Sequence, residues 1–148
     1  MPVTDAPEPN ASRQRPRLTF SILDGSFAVC QLPPDAVIPQ WALTGSPSCI
    51  TRAQDELSIV CRADNVPADV TSQAGWICLK LEGPFPFSLT GILASILDPL
   101  AAARVPIFAI STFNTDYVLI QQEFAAVALE ALRLAGHELR PGKGPGVI

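Results

Sequence analysis

From Gly75 to Arg140 the spacing of apolar residues changes in a fixed order, and that order restricts the fold more than any other feature of the chain. GWICLKLEG (75–83) reads as a strand. In residues 89–104, Leu89, Ile92, Leu93, Ile96, Leu97 and Leu100 recur at the i, i+3, i+4, i+7 spacing of one buried helix face. Ser88 is the expected N-cap. Pro99 has no backbone N–H and predicts a kink. IFAIST (107–112) is an almost continuous apolar run, and DYVLI (116–120) is its expected hairpin partner, with Asn114 in the turn. Phe124, Val127, Ala128, Ala131, Leu132 and Ala135 mark a second amphipathic helix, and Gly136 stops it. HELR (137–140) makes a short last strand. The order β-α-β-β-α-β is the ferredoxin-like, split βαβ arrangement of an α+β fold. It predicts an antiparallel four-stranded sheet with both helices on one face. The face left open suits pairing with another sheet.

Upstream, LTFSIL (18–23) and FAVCQL (27–32) flank Asp24-Gly25, a hairpin signal. SCITR (48–52) and ELSIV (56–60) flank a second polar turn. Residues 34–43 allow a short helix that Pro39 weakens, and residues 63–75 read as a loop or one weak helical turn. The segments 50–60 and 110–120 align without gaps at an offset of 60, matching Thr51 to Ser111, Gln54 to Asn114 and Glu56 to Asp116. This predicts two related modules, 18–72 and 73–140, of which the first is degenerate. Residues 1–17, with four prolines, and 141–148, rich in Pro and Gly, read as flexible tails.

Charged residues make up 16% of 148, below the roughly 25% of an average domain, which argues for extensive burial or self-association. The net charge is −4, so the basic footprint of a nucleic-acid binder is missing. No apolar run reaches the roughly 18 residues of a membrane span, and the N-terminal segment has no apolar core of signal-peptide length. Cys30, Cys49, Cys61 and Cys78 form no C-x-x-C pair and read as buried free thiols rather than metal ligands. The expected location is the cytoplasm, and no metal or cofactor is implied.

Two places can carry chemistry. Thr90-Gly91 opens the first helix, where unpaired backbone N–H groups and the helix dipole favour a carboxylate or phosphate. Gly91 would let a ligand approach the backbone. An ordinary strand-to-helix transition explains the same residues. Ser111, Thr112, Asn114, Thr115 and Asp116 gather hydroxyls, an amide and a carboxylate at a hairpin tip. Hairpin tips are commonly polar. Side by side, the two places would suit a free amino acid, whose carboxylate goes to the helix and whose ammonium goes to Asp116. Catalysis has little support. His137 is the single histidine, and no nucleophile elbow, P-loop or dinucleotide fingerprint is present. Trp41, Trp76, Phe85 and Phe87 read as core or interface anchors.

FSLTGILASILDPLAAARVPIFAISTFNTDYVLI (87–120) resembles the ACT-domain pattern of the group that includes the CASTOR-type arginine sensors, and TRAQDELSIVC (51–61) is similar to the degenerate first module of such proteins. The resemblance implies tandem ferredoxin-like modules that bind an amino acid at a seam between domains and act by changing association. It implies a homodimer, because two modules alone leave the seam incomplete. On this chain it assigns Thr90, Gly91 and Ile92 at the helix, Ser111, Thr112, Asn114, Thr115 and Asp116 at the hairpin, and Glu56 as a pseudo-equivalent acid. It implies a regulatory protein rather than an enzyme. A ligand-free interaction module is the alternative.

Overall fold

The computed structural model describes residues 15–141. The first strands are β1 (Thr19–Ile22), β2 (Phe27–Leu32), β3 (Cys49–Arg52), β4 (Leu57–Arg62) and the long β5 (Thr71–Leu81). Helix α1 (Ile92–Ala102), β6 (Ile107–Ser111), β7 (Asp116–Gln121), α2 (Ala125–Leu134) and β8 (Glu138–Leu139) follow. The expected split βαβ order is present from β5 onward.

β5 organises the molecule. On one side it pairs with β7, and β7 with β6. On the other side it pairs antiparallel with β1 through Phe20–Leu81 and with β2 through Phe27–Trp76. β1 and β2 therefore run in line along one neighbour, and Asp24-Gly25 bends the chain without reversing it. The expected hairpin at 18–32 does not form. Its turn signal is real, since Gly25 has φ +86°, but both flanking segments find β5 instead of each other. β1 also lies between β5 and β8 and is parallel to β8, so β8 pairs with β1 and not with β5.

β5 begins at Thr71, inside the segment expected to be a loop. Thr71, Ser72, Gln73 and Ala74 are exposed and carry no apolar alternation, so only the ladder to β2 makes them a strand. The register slips between Phe27 and Val29, where Gly75 takes φ +83°; this bulge bends β5. The expected module boundary at 72/73 falls inside this shared strand.

The second module keeps its helices on one face. Leu79, Leu81, Val118 and Ile120 of the sheet pack against Ile96 and Leu100 of α1 and Leu132 of α2. The other face is covered from within the chain. The sheet curls at β5, and Trp76, Cys78 and Leu119 bury against Phe27 and Val60 of the first module. The first module's outer face, with Cys30, Leu57 and Ile59, is closed by a 3-10 turn at Gln40–Leu43 and by Val66 and Val70.

The repeat is visible in backbone and burial, one residue out of the expected register. The last rungs of the two hairpins are Arg52–Leu57 and Ser111–Asp116, so equivalent positions lie 59 residues apart. Each second strand ends in a 3-10 turn at that spacing, Ala63–Asn65 and Gln122–Phe124. A one-residue slip exchanges the two faces of a strand, so the burial pattern decides between the registers. Ile59, Val60 and Cys61 are buried in β4 as Val118, Leu119 and Ile120 are in β7.

Helix α1 starts later than expected. Its N-cap is Gly91 in the left-handed region, φ +80°, and not Ser88. The helix runs unbroken through Pro99. The carbonyl that Pro99 leaves without an intrahelical donor, that of Ser95, lies 2.8 Å from Nε2 of the buried His137. Nδ1 of His137 accepts the backbone N–H of Leu18 at 3.1 Å, which leaves the ring proton on Nε2 to donate to Ser95. Of the expected N-terminal tail, the described residues are docked: Arg15 pairs with Asp98 on α1, and the Pro16 carbonyl accepts the Ser95 hydroxyl. Residues 1–14 and 142–148 of the expected tails lie outside the described residues.

Candidate functional site

The start of α1 and the tip of the β6–β7 hairpin meet across a hollow of about 210 Å3. Leu89 and Ile92 line it from the helix side, and the hairpin lines it from Ser111 to Asp116. The juxtaposition follows from topology. β5 leads through Pro84–Pro86 to the helix, and β7 starts beside the same end of β5. The Phe85 N–H donates to the Asn114 carbonyl at 2.8 Å and ties the two loops together.

The expected residues divide by role. Ser111 and Asp116 form the terminal rung, and the Ser111 hydroxyl donates to Asp116 Oδ1, orienting the half-buried carboxylate. Among the described residues Asp116 is the one charged side chain lining the hollow. Thr112 and Thr115 build the turn. The Thr112 N–H and hydroxyl both donate to the Thr115 carbonyl, at 2.8 and 3.0 Å, and the buried Thr115 hydroxyl donates to the Leu81 carbonyl at 2.7 Å. Asn114 contributes its backbone carbonyl to the loop contact and leaves its side chain exposed.

Thr90 and Gly91 stand beside the hollow rather than in its wall, and both are exposed. Gly91 is needed for its positive φ, and the space a side chain would occupy there is open. The first intrahelical bond runs from the Ser95 N–H to the Gly91 carbonyl at 3.0 Å, and no side chain caps the helix. The N–H groups of Ile92, Leu93 and Ala94 thus remain available at the positive end of an eleven-residue helix.

Glu56 is not brought to this place. It accepts Gln31 Nε2 at 3.1 Å on the β3–β4 tip, at the opposite end of β5. In the structural register its counterpart is Thr115, and Asp116 corresponds to the buried Leu57. Arg52 stands where Ser111 stands, and its guanidinium donates to the carbonyls of Pro34 and Ala36. The corresponding rung of the first module, Arg52 with Leu57, holds no acid–hydroxyl pair.

The sequence reading missed the aromatic wall. Phe85 and Phe87 line the hollow from the loop after β5, and Phe113 from the hairpin tip. Phe87 and Phe113 meet edge to face at 5.1 Å and are 76% and 79% exposed. A phenylalanine amid the polar residues of TFNT was the available signal. Elsewhere, burial raises the Cys30 thiol to about 11 and the Cys78 thiol to about 12, and it also raises Cys61. These three cysteines sit in apolar cores as inert thiols. Among the described residues, no group of three or more His, Cys, Asp or Glu is placed to hold a metal.

Comparison with known proteins agrees with the fold. The ACT-domain family model matches residues 71–133, and a second model, described as an N-terminal domain, matches 25–69. A crystal structure of an Agobacterium tumefaciens protein is 41% identical, covers 85% of this chain and 94% of its own, and superposes with a TM-score of 0.81. The regulatory subunit of aspartate kinase from Thermus flavus shares the fold alone, at 14% identity over 81% of this chain and 99% of its own, with a TM-score of 0.56. The chain thus carries an ACT domain at residues 71–133, in common with other ACT-domain proteins.

Within them it resembles the CASTOR type. The human cytosolic arginine sensor for mTORC1 subunit 1 is 30% identical over 131 residues, which is 80% of this chain. The chain spans 39% of that relative's length.

Proposed function

We propose that the protein is a regulatory sensor for a free amino acid, acting through association of subunits or domains, and that it is not an enzyme. The observation that carries this reading is the hollow itself, whose wall holds an oriented carboxylate and at whose edge the uncapped helix starts, with Ile92 in the wall and Gly91 beside it. The ligand's carboxylate is held by the free N–H groups of α1 beside Gly91, and its ammonium by Asp116, with Ser111 fixing the acceptor geometry. Thr112, Asn114 and Thr115 hold the hairpin tip in place. The exposed rim of Phe87 and Phe113 supports a second copy of the chain closing the site, as a homodimer. A cytoplasmic location belongs to the same proposal. The human relative is named a cytosolic sensor, and no helix among the described residues is long and apolar enough to cross a membrane.

Thermal melting against a panel of amino acids tests the reading. A ligand raises the melting temperature of the native chain, and Asp116→Ala melts at the same temperature as the native chain but loses the ligand's effect. No response to any amino acid at millimolar concentration would sink the proposal. The exposed aromatic pair also favours a second reading, a ligand-free interaction module, which gives a dimer whose mass is indifferent to every metabolite.

A further inference from the structure

From the composition of the hollow's wall we infer that its ligand is an amino acid with an uncharged, apolar side chain, selected by Phe85, Phe87 and Phe113. This inference rests on the proposed amino-acid site and concerns only which side chain it accepts. The hollow has one charged side chain among the described residues, Asp116, and that carboxylate is engaged by the ligand's ammonium. Among the described residues no lysine or arginine lines the hollow, so an aspartate or glutamate side chain would lose its hydration and gain no partner there. Among the described residues no second carboxylate lines it either. Glu56 lies at the other end of β5, and Glu82, close in sequence to the loop, is paired with Arg140 at 2.9 Å. A lysine or arginine side chain would therefore find the weaker attraction of aromatic faces and, among the described residues, no acid to pair with.

What remains for the side chain is apolar. Phe85, Phe87 and Phe113 line the hollow together with Leu89 and Ile92. The edge-to-face pair of Phe87 and Phe113 is held at the mouth with most of its surface in water, an arrangement that covering by an apolar group improves. The hollow, at about 210 Å3, is smaller than a typical drug-sized pocket, which fits a single amino acid rather than a peptide or nucleotide.

Titration calorimetry on the full chain tests this, with leucine, isoleucine, methionine and phenylalanine against arginine, lysine, aspartate and glutamate. The expected result is binding by one or more of the first group and at least about tenfold weaker binding by every member of the second. Phe113→Ala, at an exposed position, weakens the preferred ligand about tenfold and narrows its advantage over arginine, while Asp116→Ala abolishes binding of all of them. Binding of arginine or glutamate in preference to the apolar set overturns the inference and leaves the amino-acid site standing. Binding by none of the eight overturns the inference, and silence from every amino acid in the melting panel overturns the site with it. Unchanged selectivity in Phe113→Ala and in Phe87→Ala removes the aromatic wall as its cause.

Discussion

At the residue scale the structure turns a defect into a contact. A proline inside a helix leaves the carbonyl four residues earlier without its donor. Here that carbonyl belongs to Ser95, and His137 supplies the missing N–H while accepting Leu18 on its other nitrogen. The sequence shows Pro99 as a source of a kink and His137 as the single histidine, and nothing local reveals that the ring comes back to the carbonyl of Ser95, 42 residues earlier in the chain. His137→Ala leaves a buried donor and a buried acceptor unmet, so denaturant unfolding should show a loss of about 2–3 kcal/mol. In the Pro99→Ala background the helix meets Ser95 itself, and the same substitution should cost about 1 kcal/mol less. An equal cost in both backgrounds would separate the two residues energetically. The buried thiols give a pH dependence of opposite sense to acid unfolding. Cys30 and Cys78 titrate higher folded than unfolded, so their contribution is complete below an ordinary thiol pKa and is lost as pH rises towards 11 and 12. Stability measured from pH 8 upward should fall, and alkylation of these two thiols at pH 8 should follow global unfolding.

At the element scale both helices end in the same motif with different residues. In α2, His137 N–H donates to the Leu132 carbonyl and Gly136 N–H to that of Arg133, with Gly136 left-handed. The end of α1 repeats this through Val105 to Leu100 and Arg104 to Ala101, but the left-handed residue, φ +59°, is Arg104. Arg104→Gly should therefore stabilise the protein by about 1 kcal/mol in thermal or chemical unfolding. Gly136 was legible as a stop because glycine announces the conformation, whereas arginine does not. The same distinction runs through the strands. The β6–β7 hairpin was legible because both its strands are apolar and pair with each other. Asp24-Gly25 looked like its equal, yet β1 and β2 are partners of β5. The polar start of β5 was invisible, since its strand character comes from β2 and not from its own residues.

At the scale of the whole molecule the two modules are one sheet. β5 belongs to both, and β1, from the start of the chain, fills the gap between β5 and β8. The ACT match begins at residue 71, but its strands do not close without residues 19–22. A fragment beginning at residue 71 should fail to show a cooperative melt, and adding residues 15–22 as a separate peptide should restore part of it. Independent folding of that fragment would contradict the role given to β1. The site was half legible for a related reason. Ser111, Asp116 and the helix start carry their chemistry in their own types, whereas Phe85 and Phe87 became a wall only once β5 placed their loop against the hairpin, and Glu56 was lost when the repeat register moved by one. The most direct test of the central claim is an amide-resolved NMR titration with the amino-acid panel. The account predicts that a binding amino acid shifts resonances first at Leu89–Ala94 and Ser111–Asp116, and that the β3–β4 tip stays unmoved. Binding that perturbs some other surface, or none, while these two segments remain still would contradict it.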